Sequence, residues 1–338
     1  MRFALTEDQT ALRDAVRELL TRECPPAVVR EAWEEGAEAP RVAAAWAKLA
    51  EMGVVGAAVP EEAGGLGLGA CDLVPLLEEA GRVALPLPIV ETAFVAGPLL
   101  AAAGDEDAVG RLIAGELLVA CALDGAATVP WAGDAELILA AAGPGGEIRR
   151  SSSPLDLVEG VDGARRLAVL ADPTAGTSLG VDADACRAAW ERGALGTAAQ
   201  LVGLSRALLA MTVTYAEERR QFGVPIGSFQ AVKHQLANAL LGLEFAAPAV
   251  LRAAWSLDSG AETAGRDVAM AKALASEAAE KVAATALQAH GAIAYTTEYD
   301  LHLFAKRVWA TARTWGDAEW QRARVAAALG LDMEGSTR

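Results

Sequence analysis

Histidine and cysteine are scarce, three and four among 338 residues. Cys24, Cys71, Cys121 and Cys186 stand far apart with no CxxC pair, and no Cys/His cluster has the spacing of a zinc site. They read as reduced, buried, small apolar residues. No uninterrupted apolar run reaches the about 18 residues that a membrane-crossing helix needs. The start, Met1 to Glu7, has neither the basic nor the apolar segment of a signal peptide, so a cytoplasmic protein is expected. Basic residues are also in deficit, 29 against 45 acidic, a formal charge of -16 that argues against nucleic acid and anionic membranes as partners.

What is present divides into three parts. Over residues 1–115 Thr6 and Gln9 form a capping-box pattern ahead of Leu12, Val16, Leu19 and Leu20 at helical spacing. Further helices are predicted over 43–52, 72–82 and 92–103, separated by Pro and Gly, so this part reads as an all-helical domain. Over 116–182 short apolar runs at 117–123, 137–141 and 167–170 alternate with Gly, Pro, Ser and Asp, the pattern of a few strands; Ser151-Ser152-Ser153-Pro154 reads as a loop. Over 183–338 long Ala-rich helices are predicted at 194–218, 229–257 and 266–289, where small residues allow close packing in a bundle. There is no fixed-period repeat.

The stretch Val54-Val55-Gly56 followed by Gly64-Gly65-Leu66-Gly67-Leu68-Gly69 imitates a dinucleotide fingerprint. Its glycine spacing is wrong for GxGxxG, Glu61 and Glu62 precede the supposed phosphate loop, and no alternating strand-helix pattern follows. The strongest motif is Glu217-Glu218-Arg219-Arg220-Gln221-Phe222-Gly223, continuing to Gln230, between two long helices. A guanidinium fork suits a pyrophosphate, Phe222 offers an apolar ring, and Gln230 can both donate and accept. The plainer alternative is an inter-helix loop in which Arg219 pairs with Glu217 or Glu218. A second motif is Gln288-Ala289-His290-Gly291-Ala292-Ile293-Ala294. His234, His290 and His302 read as hydrogen-bonded structural groups rather than acid-base catalysts.

These motifs closely resemble those of the acyl-CoA dehydrogenase family, flavoenzymes that oxidise acyl-CoA thioesters between the α and β carbons. The Pro60-Glu61-Glu62 segment with its glycines is similar to one in that family's N-terminal helical domain. The resemblance implies a mainly α, acyl-CoA dehydrogenase-like fold with an N-terminal helical domain, a reduced middle β region and a C-terminal four-helix bundle. It also implies that Arg219, Phe222, Gln230, Gln288 and Gly291 contact the ADP half of an FAD held mainly by a neighbouring subunit. Ala292 and Ala294 replace the second and third glycines of the family's turn. Arg219 with Arg220, and Lys306 with Arg307, are candidate basic patches for an anionic CoA ester; otherwise they are solvated helix faces.

The family's chemistry needs a carboxylate to remove the α-proton, and burial tunes such a base towards neutrality. Family members place it either near the C-terminus, where Trp315 stands here, or on the helix before the Arg219 motif, near Gly193. Glu191 and Glu319 lie close in sequence, but a shift of two or more residues turns a side chain to another helix face, and both read as surface charges. The family's flavin-bordering Thr-Glu-Pro and Gly-Ser-Asp segments have no counterpart over 117–182. The resemblance therefore points to a shortened subunit of an actinobacterial α2β2 acyl-CoA dehydrogenase, such as act on steroid side chains. A full-length partner would supply the base and an electron-transferring flavoprotein would accept the electrons. The alternatives are a self-sufficient homo-oligomeric enzyme with a relocated base and a non-redox binding or assembly protein on the same fold.

Overall fold

A computed structural model describes residues 4–126 and 128–331. Helix α1 (Glu7–Glu23) starts as the sequence predicts: the Gln9 N–H donates to Thr6 Oγ1 at 3.2 Å, and the Thr6 N–H donates to Gln9 Oε1 at 2.9 Å. Helices α2 (Pro26–Glu35) and α3 (Pro40–Glu51) each begin on a proline, whose missing N–H costs nothing in a first turn. Of these, α2 was not expected. Helix α4 (Ala70–Arg82) follows; the predicted helix over 92–103 is a π-helical stretch, Val90–Ala96, running into α5 (Gly97–Ala102). Helix α6 (Glu106–Ile113), also unexpected, is capped by Asp105. Residues 53–59 form turns rather than a strand, so the Gly64 to Gly69 run follows no strand and is not a dinucleotide loop.

Among the described residues seven short strands come next: β1 (Val119–Ala122), β2 (Thr128–Val129), β3 (Leu137–Ala140), β4 (Arg149–Ser151), β5 (Leu155–Val158), β6 (Leu167–Leu170) and β7 (Gly176–Ser178). They make two small sheets ordered β1-β3-β4-β7 and β2-β6-β5. The β1/β3 pair is parallel and the others are antiparallel. The three apolar runs became β1, β3 and β6. Ser151 belongs to β4, because its strand pairs with β7 through Gly176, so only 152–154 of the serine run are loop.

Helix α7 (Ala183–Glu218) begins at Ala183 rather than Ala194 because the Asp182 carboxylate accepts the Ala185 N–H at 2.8 Å. A tight hairpin of β8 (Arg220–Gln221) and β9 (Val224–Pro225) leads to α8 (Gln230–Asp258), α9 (Ala264–His290), α10 (Leu301–Ala312) and α11 (Ala318–Ala328). Helix α7 lies in the core between α4 and α9. A Cβ added at Gly203 would overlap the Glu78 carbonyl, so α4 and α7 meet backbone to backbone. Helices α7 and α8 are long and apolar enough to cross a membrane by length and composition, but α7 is mostly buried within the fold. Helix α8 packs one face on α9 and leaves Leu241 and Phe245 56% and 68% exposed; Leu240 and Trp255 of the same helix are exposed too.

Candidate functional site

At the C-terminal end of α7 the Arg219 N–H donates to Tyr215 O at 2.8 Å, and its carbonyl accepts the Ile226 N–H at 2.8 Å, closing the hairpin. The two residues at the tip, Phe222 and Gly223, have φ of 53° and 84°, the backbone hand that suits a two-residue hairpin. Glycine adopts this readily, whereas a phenylalanine there costs about 1–2 kcal/mol. Phe222 is nevertheless 93% exposed, its ring meeting Phe229 edge-on at 6.2 Å. An apolar ring held in strain and in water contributes little to this chain's own packing. The Arg219 side chain is exposed and, among the described residues, forms no ion pair; the alternative pairing with Glu217 or Glu218 is not realised. Gln230 is exposed in the first turn of α8.

The second motif is tied to this end of α7 through three rings. Tyr215 stacks on His290 at 4.2 Å and its hydroxyl donates to His290 O at 3.3 Å, while Tyr299 packs against both rings. His290 is buried, and its Nδ1 lies 2.8 Å from Ala286 O; burial holds its pKa below the ordinary histidine range. Gly291 ends α9 with φ 65° and ψ -140°, a conformation open to glycine, and nothing lies within 4 Å of where its Cβ would be. Gln288 is exposed one turn earlier, and Tyr295 beyond is 81% exposed. Ala294 is buried in the core, which accounts for a methyl at that position of the turn.

Near the other end of α7 lies a cavity of about 300 Å³ between the strands and the end of α10. Glu91 from the π-helical stretch, Arg165, Trp309 and Trp315 line it. Glu91 is buried, which pushes its carboxyl up against the pull of Arg165; the Trp315 indole reaches the carboxyl. Beside the cavity Asp162 pairs with Arg307, whose Nη1 also donates to Leu85 O at 2.7 Å. Lys306–Arg307 is thus no solvated basic face: Arg307 is buried, and Lys306 lies over Trp33 at 4.8 Å. Trp315 has φ 57° and is 4% exposed. A Cβ at Gly193 of α7 would collide with its indole. Lys272 anchors this turn by donating to Ser276 Oγ at 2.9 Å, Ala312 O at 2.9 Å and Gly316 O at 3.1 Å, one acceptor for each N–H. Burial lowers its pKa to about 7.

Two family models match the chain, the acyl-CoA dehydrogenase N-terminal domain over residues 6–115 and the C-terminal domain over 183–330. The chain belongs to the acyl-CoA dehydrogenase family. The acyl-CoA dehydrogenase IpdE2 of Mycobacterium tuberculosis is 34% identical over 91% of this chain and 92% of its own length. In structure, a chain of the ChsE4-ChsE5 complex from Mycobacterium tuberculosis superposes with TM-score 0.84 at 25% identity, covering 98% of this chain and all of that one. A variant of the steroid acyl-CoA dehydrogenase Tcur3481-Tcur3483 gives 0.82 at 25% identity, over 98% and 99%.

Within this family member, the two positions singled out for a base, Trp315 and Gly193, are neighbours in space, and the indole of one occupies the room above the other. Glu191 and Glu319 are not among the residues that line the cavity. Glu191 is buried rather than a surface charge: it pairs with Arg324, whose guanidinium lies over Trp190 and Trp320 at 4.5 and 5.3 Å. Glu319 is exposed in the first turn of α11. Sequence reasoning missed Glu91, which sits in an unbroken apolar context and is aimed at the cavity by the π-helical turn; only the rarity of an acidic residue between Val90 and Phe94 could have marked it. The fit to FAD differs between the two ends of α7. The exposed Arg219 and the Phe222 ring suit a pyrophosphate and its adenosine. The cavity does not suit a flavin ring stacked on an acyl thioester, being at the low end of ligand-pocket volumes and closed by Trp315.

Proposed function

We propose that this chain is the FAD-clamping, non-catalytic subunit of an α2β2 acyl-CoA dehydrogenase, whose complete partner subunit supplies the base and surrounds the flavin ring. The observation that carries this reading is Trp315 packed against Gly193, which leaves no carboxylate at either base position. The hairpin supports it, since Arg219 and Phe222 are both exposed and open to a partner. So does the exposed apolar face of α8, which calls for a protein cover. Two of the structural relatives carry paired names, ChsE4-ChsE5 and Tcur3481-Tcur3483, consistent with an assembly of two different chains.

In this reading the Arg219 guanidinium donates to the pyrophosphate of the partner's FAD, Gln230 and Gln288 complete its hydrogen bonds, Gly291 lets the α9 terminus approach, and Phe222 covers the adenosine. FAD, when bound, supplies the acceptor for the β-hydride. The strained hairpin fixes Arg219 before the partner docks, so less ordering entropy is lost on association. A ring-bearing acyl-CoA of the steroid-degradation type is the proposed substrate, and an electron-transferring flavoprotein the proposed acceptor. Co-expression with a full-length family member tests the assembly: a stable yellow complex that oxidises acyl-CoA is expected, and two chains that elute separately would refute it. One observation favours a self-sufficient enzyme instead, namely Glu91, a buried carboxyl of raised pKa in a cavity. That reading requires the chain alone to be yellow and Glu91→Gln to abolish turnover with flavin retained.

A further inference from the structure

Arg165 is 4% exposed and lines the cavity, yet among the described residues its side chain makes no hydrogen bond or ion pair. Its guanidinium lies 5.7 Å from the Trp131 ring and within the electrostatic reach of Glu91 and Asp162. A buried guanidinium with five unused donors is costly unless something accepts them. Asp162, the nearby carboxylate, is already held by Arg307. Glu91, the other, is reached by the Trp315 indole and is driven towards its neutral form by burial. Asp124 and Arg313 also line the cavity, and Asp124 accepts the Ala126 N–H at 3.1 Å. The cavity therefore presents the buried Arg165 guanidinium and the Glu91 carboxyl beside the indoles of Trp309 and Trp315 and the aliphatic side chains of Val161 and Leu167.

We propose that this cavity is a binding site for a small cyclic carboxylic acid, taken as its anion, with Arg165 donating to both carboxylate oxygens and Glu91 donating to one of them. A carboxylate is the group that accepts a forked guanidinium and still has a lone pair for an O–H. The apolar walls suit a hydrocarbon ring, and about 300 Å³ holds such an acid but not a nucleotide. The site goes beyond the clamp at the far end of α7 and does not rest on it: the acid binds whether or not the chain assembles with a partner.

Titrating the purified chain, or its complex, with cyclohexanecarboxylate by calorimetry and indole emission tests this. Saturable binding of one acid per chain is expected, with the neutral cyclohexanecarboxamide about tenfold or more weaker. Arg165→Gln should weaken the acid about ten- to hundredfold while leaving the amide unchanged. The acid-amide comparison on the unaltered chain needs no variant. The double change Glu91→Gln with Arg165→Gln, neutral throughout, supplies a folded control if the single variant is unstable. Equal affinity for acid and amide, absence of saturable binding, or displacement of the acid by FAD would each overturn the proposal.

Discussion

Helix α7 has two very different ends. Gly193 and Arg219 are 26 residues apart, about 39 Å along one rigid helix. At the Arg219 end the chain tolerates backbone strain at Phe222 and leaves a cation and an aromatic ring in water. Around Gly193 the helix is buried, an indole fills the space over it, and a lysine with three acceptors holds that indole's turn in place. The Arg219 and Phe222 side chains are left in water within their own chain, whereas Lys272 at the Gly193 end has an acceptor for each N–H. In the proposed function, α7 is a rod that carries contacts outward at one end and closes a family active site at the other.

The most disruptive way to break the comparison is Gly193→Glu, which places a carboxylate at a family base position. Its side chain must enter the Trp315 ring, so a loss of about 3 kcal/mol or more is expected, read from urea midpoints, with no gain of turnover. Adding Trp315→Gly should restore part of that stability. Lys272→Met comes next. Removing the ammonium strands the Ala312 and Gly316 carbonyls and should cost about 2–4 kcal/mol, with a red shift in tryptophan emission as the Trp315 turn loosens. Unchanged emission would mean that the lysine does not anchor that turn.

Glu191→Gln breaks a largely buried pair with Arg324 and should lower stability by about 1–3 kcal/mol, yet leave turnover of the assembled enzyme intact. Loss of turnover at normal stability would give Glu191 a catalytic role. Phe222→Gly sharpens the contrast from the other end, because two effects of opposite sign are expected. Relief of the positive φ should stabilise the chain by about 1 kcal/mol, while the complex retains flavin less tightly. The smallest effect concerns pH. His290 has a folded pKa below its unfolded value, so the unfolded state takes up the proton first. Its contribution is present at pH above about 6.5 and is lost on acidification towards the lower folded pKa. His290→Phe should flatten that part of the melting profile.

Local signals were legible in the sequence and long-range ones were not. The Thr6 and Gln9 box, the runs that became β1, β3 and β6, and the loop after Glu218 each rest on residues a few positions apart. The Arg219 motif is contiguous in the sequence, and its side chains are exposed in the fold. The approach of Trp315 to Gly193, the pair Asp162 and Arg307, and the ring stack of Tyr215 on His290 depend on packing between distant segments. Glu191 was misread as a surface charge for the same reason, since its burial comes from α11. Glu91 was hidden because a single carboxylate in an apolar run looks like a helix face until the turn geometry aims it.

The most direct test of the central claim is the visible absorption spectrum and solution mass of the purified chain, alone and after assembly with a full-length family member. The account predicts a colourless chain alone and a yellow complex whose flavin is lost when Arg219→Ala is introduced. A yellow homo-oligomer with one tightly bound flavin per chain and acyl-CoA turnover of its own would contradict it.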